Sequence, residues 1–113
     1  MLKNKKTVFL KSNKIGDGEL GSILINGFLK AMTEQENLPE KIICVNSAVL
    51  LTTSKDEDEV LNSLKELEQK GVKILSCGTC LDYYNVRDEL KVGLPGNALD
   101  TVETLLNEDV VTF

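Results

Sequence analysis

Two cysteines spaced as Cys77-x-x-Cys80 are the residues of this chain best suited to covalent chemistry. Residues 72–76 before them are apolar and predict a strand, and residues 81–86 after them predict a short helix. The unpaired N–H groups and the dipole at a helix start stabilise a thiolate, which favours a reactive Cys77 at neutral pH. Cys80 follows about one helical turn later, where it can resolve a mixed disulfide or a persulfide formed on Cys77. Cys77 and Cys80 are therefore the candidate catalytic residues.

Other interpretations of the cysteines are structural. Free cysteines often serve as small buried apolar residues, but Gly78-Thr79 within the motif is typical of a loop, which favours a functional pair. Asp82 lies close in sequence and is expected to raise the pKa of a nearby thiol. The third cysteine, Cys44, stands in the apolar run Ile-Ile-Cys-Val and is predicted to be a core residue. A lone C-x-x-C supplies only two zinc ligands, so no metal site is expected.

A glycine-rich segment at 16–21 fits G-x-G-x-x-G, the pattern of dinucleotide-binding loops. Its Asp17 and Glu19 place negative charge where a pyrophosphate would have to bind. The second predicted strand ends in Val45-Asn46, without the carboxylate that would hold a ribose. The loop is therefore interpreted as a turn whose acidic residues favour the start of a helix, and no cofactor is expected.

Composition excludes several classes of function. The chain has 113 residues, no histidine and no tryptophan, which removes Ser-His-Asp and Cys-His catalysis and all histidine-ligated metal sites. A net charge of −5 disfavours nucleic-acid binding. No apolar run is long enough to span a membrane or to act as a signal peptide, so a cytoplasmic location is expected. With 42% apolar residues, we expect residues 1–113 to form a single domain.

Strands and helices are predicted to alternate along the chain. One helix is predicted over 20–34, a helical turn within 47–53, a second helix opened by a Ser54–Glu57 capping box, and a last one capped by Asn97. Short connections between alternating elements imply right-handed crossovers. The expected fold is α/β, a three-layer α/β/α sandwich with a mostly parallel five-stranded sheet. Its predicted strands cover residues 6–12, 41–46, 72–76, 90–92 and 110–113.

Apolar spacing defines the helices, and in the second and the last it also predicts which residues face the core. The apolar positions that define the first helix are Leu20, Ile23, Leu24, Phe28 and Ala31. Those of the second helix are Val60, Leu61, Leu64 and Leu67. In the last helix, Leu99, Val102, Leu105 and Leu106 are predicted to face inward. Because functional groups gather at the carboxyl ends of parallel strands, we expect the loops 13–21, 46–54 and 77–81 to lie together.

The segment Cys77-Gly-Thr-Cys-Leu-Asp-Tyr-Tyr, with the segments 16–21 and 45–52, resembles the DsrE-like domain of YedF-type selenium metabolism proteins. The similarity extends over nearly the whole chain. Cys-Gly-Thr-Cys-Leu followed by Leu-Lys-Val-Gly93 is its most distinctive part. The Leu-Pro-Gly-Asn-Ala sequence after Gly93 departs from the Asn-Met pattern of that group. A TusA-like domain usually precedes such a domain, and we do not expect one within residues 1–113.

The resemblance implies a fold like DsrE and TusD, assembly into oligomers, and a cysteine after a central strand that carries sulfur as a persulfide. Cys77 matches that position, and Cys80 matches the second cysteine of the YedF-type motif. A TusA-like sulfur carrier or a selenium-metabolism protein is the implied partner, and a homo-oligomer is expected. Tyr83, Tyr84, Val86, Leu94 and Pro95 are the apolar residues near the motif that are available for a subunit contact.

Three functions remain open at this point. The first is a sulfur or selenium relay, sulfurtransferase-like, with a persulfide-type adduct on Cys77. The second is a dithiol–disulfide oxidoreductase that uses Cys77 and Cys80 together. Thioredoxin-like enzymes place the motif after an early strand and need a later cis-proline, whereas here it follows the third strand and only Pro95 comes later. The third is a non-catalytic binding module.

Overall fold

Five parallel strands form one sheet in the order β4-β3-β2-β1-β5. The computed structural model describes residues 6–113. This confirms the α/β fold with a five-stranded sheet, in which every neighbouring pair of strands is parallel. The strands are β1 Lys6–Leu10, β2 Lys41–Cys44, β3 Lys73–Cys77, β4 Leu94–Gly96 and β5 Asp109–Thr112. The helices are α1 Gly18–Thr33, α2 Val49–Thr52, α3 Glu59–Gln69, α4 Gly78–Tyr83 and α5 Ala98–Asn107, with 3₁₀ turns at Asn46–Ala48 and Arg87–Glu89.

The order of the strands decides on which face each helix lies. From β1 to β4 the chain advances strand by strand in one direction, and α5 then carries it back across the sheet to β5. Right-handed crossovers therefore put α1 and α3, which pack on each other, on one face and α5 on the other. We call these the core face and the α5 face. The result is three layers.

The main hydrophobic core lies between the core face and the helices α1 and α3. Cys44 belongs to this core and has 0% exposed surface, which confirms its predicted burial. In α3, Leu61, Leu64 and Leu67 are buried as predicted, and Val60 is partly buried. From the strands and from α1, the core contains Val8, Leu10, Ile42, Ile74, Ile25 and Leu29.

The predicted capping box at Ser54 and Glu57 is wrong. The helix α3 begins later, at Glu59, and its N-cap residue is Asp58. The Ser54 hydroxyl instead donates to the carbonyl of Leu51 at 3.1 Å, so it closes the end of α2. A serine hydroxyl can form a local hydrogen bond to the backbone at the start or at the end of a helix. The sequence pattern does not distinguish these two positions.

The fourth strand is also displaced from its prediction at 90–92. It covers Leu94–Gly96 and pairs with β3 at the edge of the sheet. Proline has no N–H to donate, but Pro95 is tolerated there because an edge strand does not need every N–H for hydrogen bonds to a neighbouring strand. Val92, within the predicted strand, is instead a buried loop residue at 3% exposure.

The predicted inner face of α5 is wrong, because Leu99 and Leu106 are 82% and 79% exposed. Thr104 is the buried residue of this helix. The sheet beneath it presents Lys41, whose ammonium donates to the Thr104 hydroxyl at 3.0 Å and pairs with Glu108 at 3.1 Å. The polar side of α5 therefore contacts a lysine of the sheet, and the apolar side of the helix is exposed. We call its residues, Leu99, Val102 and Leu106, the α5 stripe.

The helix α1 also carries apolar residues on its outer side. Leu20, Ile23 and Phe28, three of the apolar positions that define the predicted helix, are exposed, and the helix buries Ile25 and Leu29 instead. Both α1 and α5 thus carry more apolar surface than one copy of the fold covers.

Candidate functional site

The two candidate thiols lie at the carboxyl edge of the sheet. Cys77 is the last residue of β3, and it pairs in register with Gly96 at the end of β4. The chain leaves β3 over the core face and leaves β4 over the α5 face. Where neighbouring connections diverge in this way, a parallel sheet opens a crevice at its carboxyl edge, which is the usual place of a functional site. Cys77 lies at that edge of the sheet.

Three loops meet at this edge, as the sequence predicts. The backbone N–H of Asn13, after β1, donates to the Ser47 hydroxyl at 3.0 Å. The backbone N–H of Asn46, after β2, donates to the Cys80 sulfur at 3.1 Å. The ends of β1, β2 and β3 are therefore joined by direct hydrogen bonds.

Cys77 is the N-cap residue of α4, and its Sγ accepts the backbone N–H of Cys80 at 3.3 Å. The prediction of a loop at Gly78-Thr79 is wrong, because the helix begins at Gly78 rather than at residue 81. A β-carbon on Gly78 would lie 3.2 Å from the Gly96 carbonyl oxygen, so the close approach to β4 favours glycine. The early start of the helix places Cys80 in its first turn.

Asn46 is a site residue that the sequence analysis did not identify. Its backbone is left-handed, with φ 54°, a region that asparagine tolerates better than most residues. In this conformation its N–H reaches Cys80, and its Oδ1 accepts the hydroxyl of Tyr84 at 3.3 Å. The available signal was an asparagine directly after a buried strand, facing the C-x-x-C loop across the same sheet edge.

The surroundings of Cys80 act on its pKa in opposite directions. Burial raises the pKa of this thiol most, and a side-chain hydrogen bond with Cys77 raises it further. The N–H of Asn46 acts against both, because it stabilises the thiolate. The net effect holds the pKa of Cys80 above its ordinary value.

Asp82 does not act on the thiols as a free charge. Its carboxylate forms a two-point ion pair with Arg87, at 2.7 Å and 3.0 Å, and Arg87 also donates to the Gly78 carbonyl at 3.1 Å. The guanidinium lowers the pKa of the Asp82 carboxyl. Arg87 thus neutralises the nearest acid and connects it to the first residue of α4.

A cavity of about 570 Å³ opens beside Cys80. Two tyrosines form much of its wall, and Tyr83 is exposed. The lining residues are Val45, Asn46, Thr79, Cys80, Tyr83 and Tyr84. A partner molecule can therefore approach Cys80 from this side of α4.

Residues 25–113 match the sequence model of the DsrE/DsrF-like family. The chain belongs to this family. The match contains β2–β5 and the whole Cys77–Cys80 motif. The family is generally related to sulfur relay.

Solved structures share the fold at low sequence identity. The ychN protein from E. coli has a TM-score of 0.73 at 19% identity, over 97% of this chain and 99% of that one. BT1422 from Bacteroides thetaiotaomicron, a protein of unknown function, has a TM-score of 0.68 at 16% identity, over 96% and 95%. MTH1491 from Methanobacterium thermoautotrophicum, also of unknown function, has a TM-score of 0.61 at 15% identity, over 98% and 100%. No curated protein matches the sequence.

In this DsrE/DsrF-like chain the G-x-G-x-x-G segment forms a turn that is closed by a hydrogen bond between its own backbone groups. The N–H of Ile15 donates to the Gly21 carbonyl at 3.0 Å, and Gly16 and Gly18 are left-handed. A β-carbon on Gly21 would lie 2.7 Å from the Gly16 carbonyl oxygen. Local closure of the turn therefore accounts for all three glycines without a bound phosphate.

Two other kinds of feature are not found within residues 6–113. Within this range, no three or more Cys, Asp or Glu side chains are grouped so that they could hold a metal ion. None of the helices in the same range is long and apolar enough to cross a membrane.

Proposed function

We propose that this protein is a sulfur or selenium relay, sulfurtransferase-like, which carries a persulfide-type adduct on Cys77. The observation that carries the proposal is the position of Cys77 in a DsrE/DsrF-like fold. It ends an inner strand at the carboxyl edge of the sheet, is partly exposed, and its sulfur accepts a backbone N–H. Such a donor stabilises a thiolate, which is the attacking species in sulfur transfer.

The reaction needs thiol chemistry alone. The Cys77 thiolate attacks the outer sulfur of a donor persulfide, so that Cys77–S–SH forms and the donor leaves as its thiolate. An acceptor thiolate then attacks the same outer sulfur, and the Cys77 thiolate leaves. Each step exchanges one S–S bond for another, so no external oxidant or reductant is required. The balance is the same when selenium replaces the outer sulfur.

The finer assignment is to the YedF-type group, which the Cys-Gly-Thr-Cys-Leu motif supports. We infer that the partner is a TusA-like sulfur carrier or a selenium-metabolism protein, and that residues 1–113 act as one domain. A cytoplasmic location fits three free cysteines, Cys44, Cys77 and Cys80, because reducing compartments keep thiols reduced.

Homo-oligomer formation is part of the same proposal. The α5 stripe is exposed, and so are Tyr83 and Leu94 near the thiols. Apolar surface of this kind is typical of subunit contacts. Light scattering at micromolar concentration is expected to give a mass of at least two chains. A mass of one chain that stays constant on concentration would contradict this part of the proposal.

A transfer assay tests the relay. The protein is loaded with glutathione persulfide, freed of donor, and mixed with a cysteine-containing peptide. We expect the protein to gain one sulfur atom and then pass it to the peptide. Cys77→Ser should lose both steps, whereas the matched control Cys44→Ala, in the core, should retain them. Transfer by Cys77→Ser at the unaltered rate would refute the proposal.

The proximity of Cys77 and Cys80 favours a second candidate, a dithiol oxidoreductase. Its signature in the same assay is a reversible loss of two hydrogen atoms, with formation of a Cys77–Cys80 disulfide and no gain of sulfur. A non-catalytic binding module would give neither change. Mass spectrometry therefore separates the three functions in one experiment.

A further inference from the structure

The helix α1 is apolar on its outer side as well as on its buried side. Residues 20–29 contain no charged side chain. On the outer side, Leu20 and Ile23 are 64% and 60% exposed, and Phe28 is 47% exposed. A helix that is apolar all round is normally buried on every side. Because the described chain leaves this side of α1 open, we expect another molecule to cover it.

Gly27 has no structural role within one copy of the chain. It lies inside α1, where glycine is less favourable than alanine. A β-carbon on Gly27 would meet no neighbouring atom within 4 Å, so nothing in its own copy requires glycine. Glycine also permits the close approach of another chain. Gly27 therefore forms an open notch on the exposed side of the helix.

We propose that the outer side of α1 binds the same surface of a second copy of this chain, with the two helices antiparallel about a two-fold axis. This inference rests on the homo-oligomer that the proposed function includes, and it assigns the contact surface. It does not depend on the sulfur relay. We call this surface the α1 face, and its residues are Leu20, Ile23, Leu24, Gly27, Phe28 and Ala31.

The sizes of the side chains on the α1 face are self-complementary. Residues three or four apart share one side of a helix, so Leu20, Ile23, Gly27 and Ala31 follow one another along the face. In an antiparallel pair centred between residues 25 and 26, Leu20 lies level with Ala31 of the second copy. In the same pair, Ile23 lies beside Gly27 of the second copy. Each large side chain therefore meets a small one, as a two-fold contact of one surface with itself requires.

The charges at the two ends of the α1 face are complementary in the same arrangement. Glu19 and Lys30 are exposed and lie on the same flank of α1. Within residues 6–113, neither side chain has an ion-pair partner in its own copy. In the antiparallel pair, Lys30 of the second copy lies only about 3 Å along the axis from the level of Glu19. The two-fold axis forms this ion pair twice, whereas a parallel pair would place like charges together.

A charged residue on the α1 face tests the contact. We expect Ile23→Lys to halve the mass measured by light scattering at micromolar concentration, because a two-fold contact joins copies in pairs. The matched control Leu106→Lys makes the same change on the α5 stripe, and its mass should stay at two chains or more. A circular dichroism spectrum shows that each variant is folded. An unchanged mass in Ile23→Lys would overturn the inference and assign the α1 face to a different protein.

A second variant fills the notch without adding charge. Gly27→Leu meets no obstacle in its own copy, so the fold should be retained. The added side chain would collide with the second copy, and we expect the dissociation constant of the pair to rise at least about tenfold. Sedimentation equilibrium gives this constant. Pairing of Gly27→Leu with unaltered affinity would contradict the close approach at Gly27.

Charge exchange tests the antiparallel direction. Glu19→Lys or Lys30→Glu alone places like charges together at both ends of the pair, and we expect the dissociation constant to rise about tenfold in low salt. The double variant, with both exchanges, should return to within about twofold of the unaltered protein. Single exchanges without effect would contradict the antiparallel arrangement.

Persulfide loading of Cys77 separates this inference from the relay. If the unaltered protein has the mass of one chain but takes up sulfur on Cys77, the homo-oligomer and this inference fail and the relay stands. If Leu106→Lys reduces the mass to one chain and Ile23→Lys does not, the homo-oligomer stands and this inference alone fails. If the α1 variants behave as expected and no adduct forms, the relay fails and the α1 contact stands.

Discussion

Cys44 and Cys77 lie on neighbouring strands and differ by one step of register, yet their environments are opposite. Cys44 is level with Ser76, the residue before Cys77. Cys44 points into the core, has 0% exposed surface, and burial raises its pKa to about 12. Cys77 ends its strand at the carboxyl edge of the sheet, is partly exposed and accepts an N–H. The comparison shows that position at the strand end, and not the residue type, makes a thiol available for chemistry.

The largest expected difference is in labelling. With a bulky maleimide and native protein, we expect Cys44 to react at least about a thousandfold more slowly than Cys77, because Cys44 reacts only when the domain opens globally. Peptide mass spectrometry at increasing times measures the ratio. At most two labels should appear without denaturant, and rapid labelling of Cys44 would contradict its place in the core.

A second difference should appear at high pH. Between the ordinary thiol pKa of 9.0 and the value of about 12 for folded Cys44, the unfolded chain loses this proton and the folded chain keeps it. The unfolded state then binds fewer protons, so Cys44 should lower the free energy of unfolding by about 1.4 kcal/mol per pH unit above 9. Urea unfolding between pH 8 and 11 measures this slope, and Cys44→Ala should flatten it. An unchanged slope in Cys44→Ala would show that Cys44 does not titrate in this way.

Serine substitutions should separate the two cysteines by a smaller amount. Cys44→Ser buries a hydroxyl among apolar side chains and should lower the free energy of unfolding by about 1–3 kcal/mol. Cys77→Ser, at the partly exposed strand end, should change it by less than about 0.5 kcal/mol. Urea unfolding at pH 7 gives both values. Equal losses would indicate that Cys77 is as much a packing residue as Cys44.

The smallest expected difference is between the two thiols of the motif. At pH 7, we expect Cys77 to be alkylated about fivefold faster than Cys80, since burial and Cys77 itself raise the pKa of Cys80. Iodoacetamide labelling with peptide mapping gives the two rates. Faster reaction at Cys80 would reverse the roles assigned to the pair.

The sequence predicted the sheet, the burial of Cys44 and the meeting of the three loops, because apolar runs and strand–helix alternation specify them. Its predictions for α5 failed for a physical reason. Periodicity shows that Leu99, Val102 and Leu106 share one face, but not what that face meets. The sheet places Lys41 opposite α5, and the Lys41 ammonium donates a hydrogen bond to the Thr104 hydroxyl. The polar side of α5 therefore faces the sheet. The fourth strand was misplaced because Pro95 and Gly96 have low strand propensity except at an edge.

The candidate site was predicted in part. Cys77 and Cys80 were found because their spacing is local, but the start of α4 at Gly78 was not. Asn46 and Tyr84 were missed because their contacts reach Cys80 and each other across more than thirty residues of sequence. Such contacts depend on the register of β2 against β3, which no local pattern specifies.

The location of the adduct in the unaltered protein shows whether Cys77 carries the sulfur. The native protein is treated with less than one equivalent of glutathione persulfide, its remaining thiols are blocked, and the peptides that contain Cys44, Cys77 and Cys80 are analysed by mass spectrometry. We expect one added sulfur on Cys77, with Cys44 unmodified. An adduct found on Cys80 with none on Cys77, or a Cys77–Cys80 disulfide without added sulfur, would contradict it.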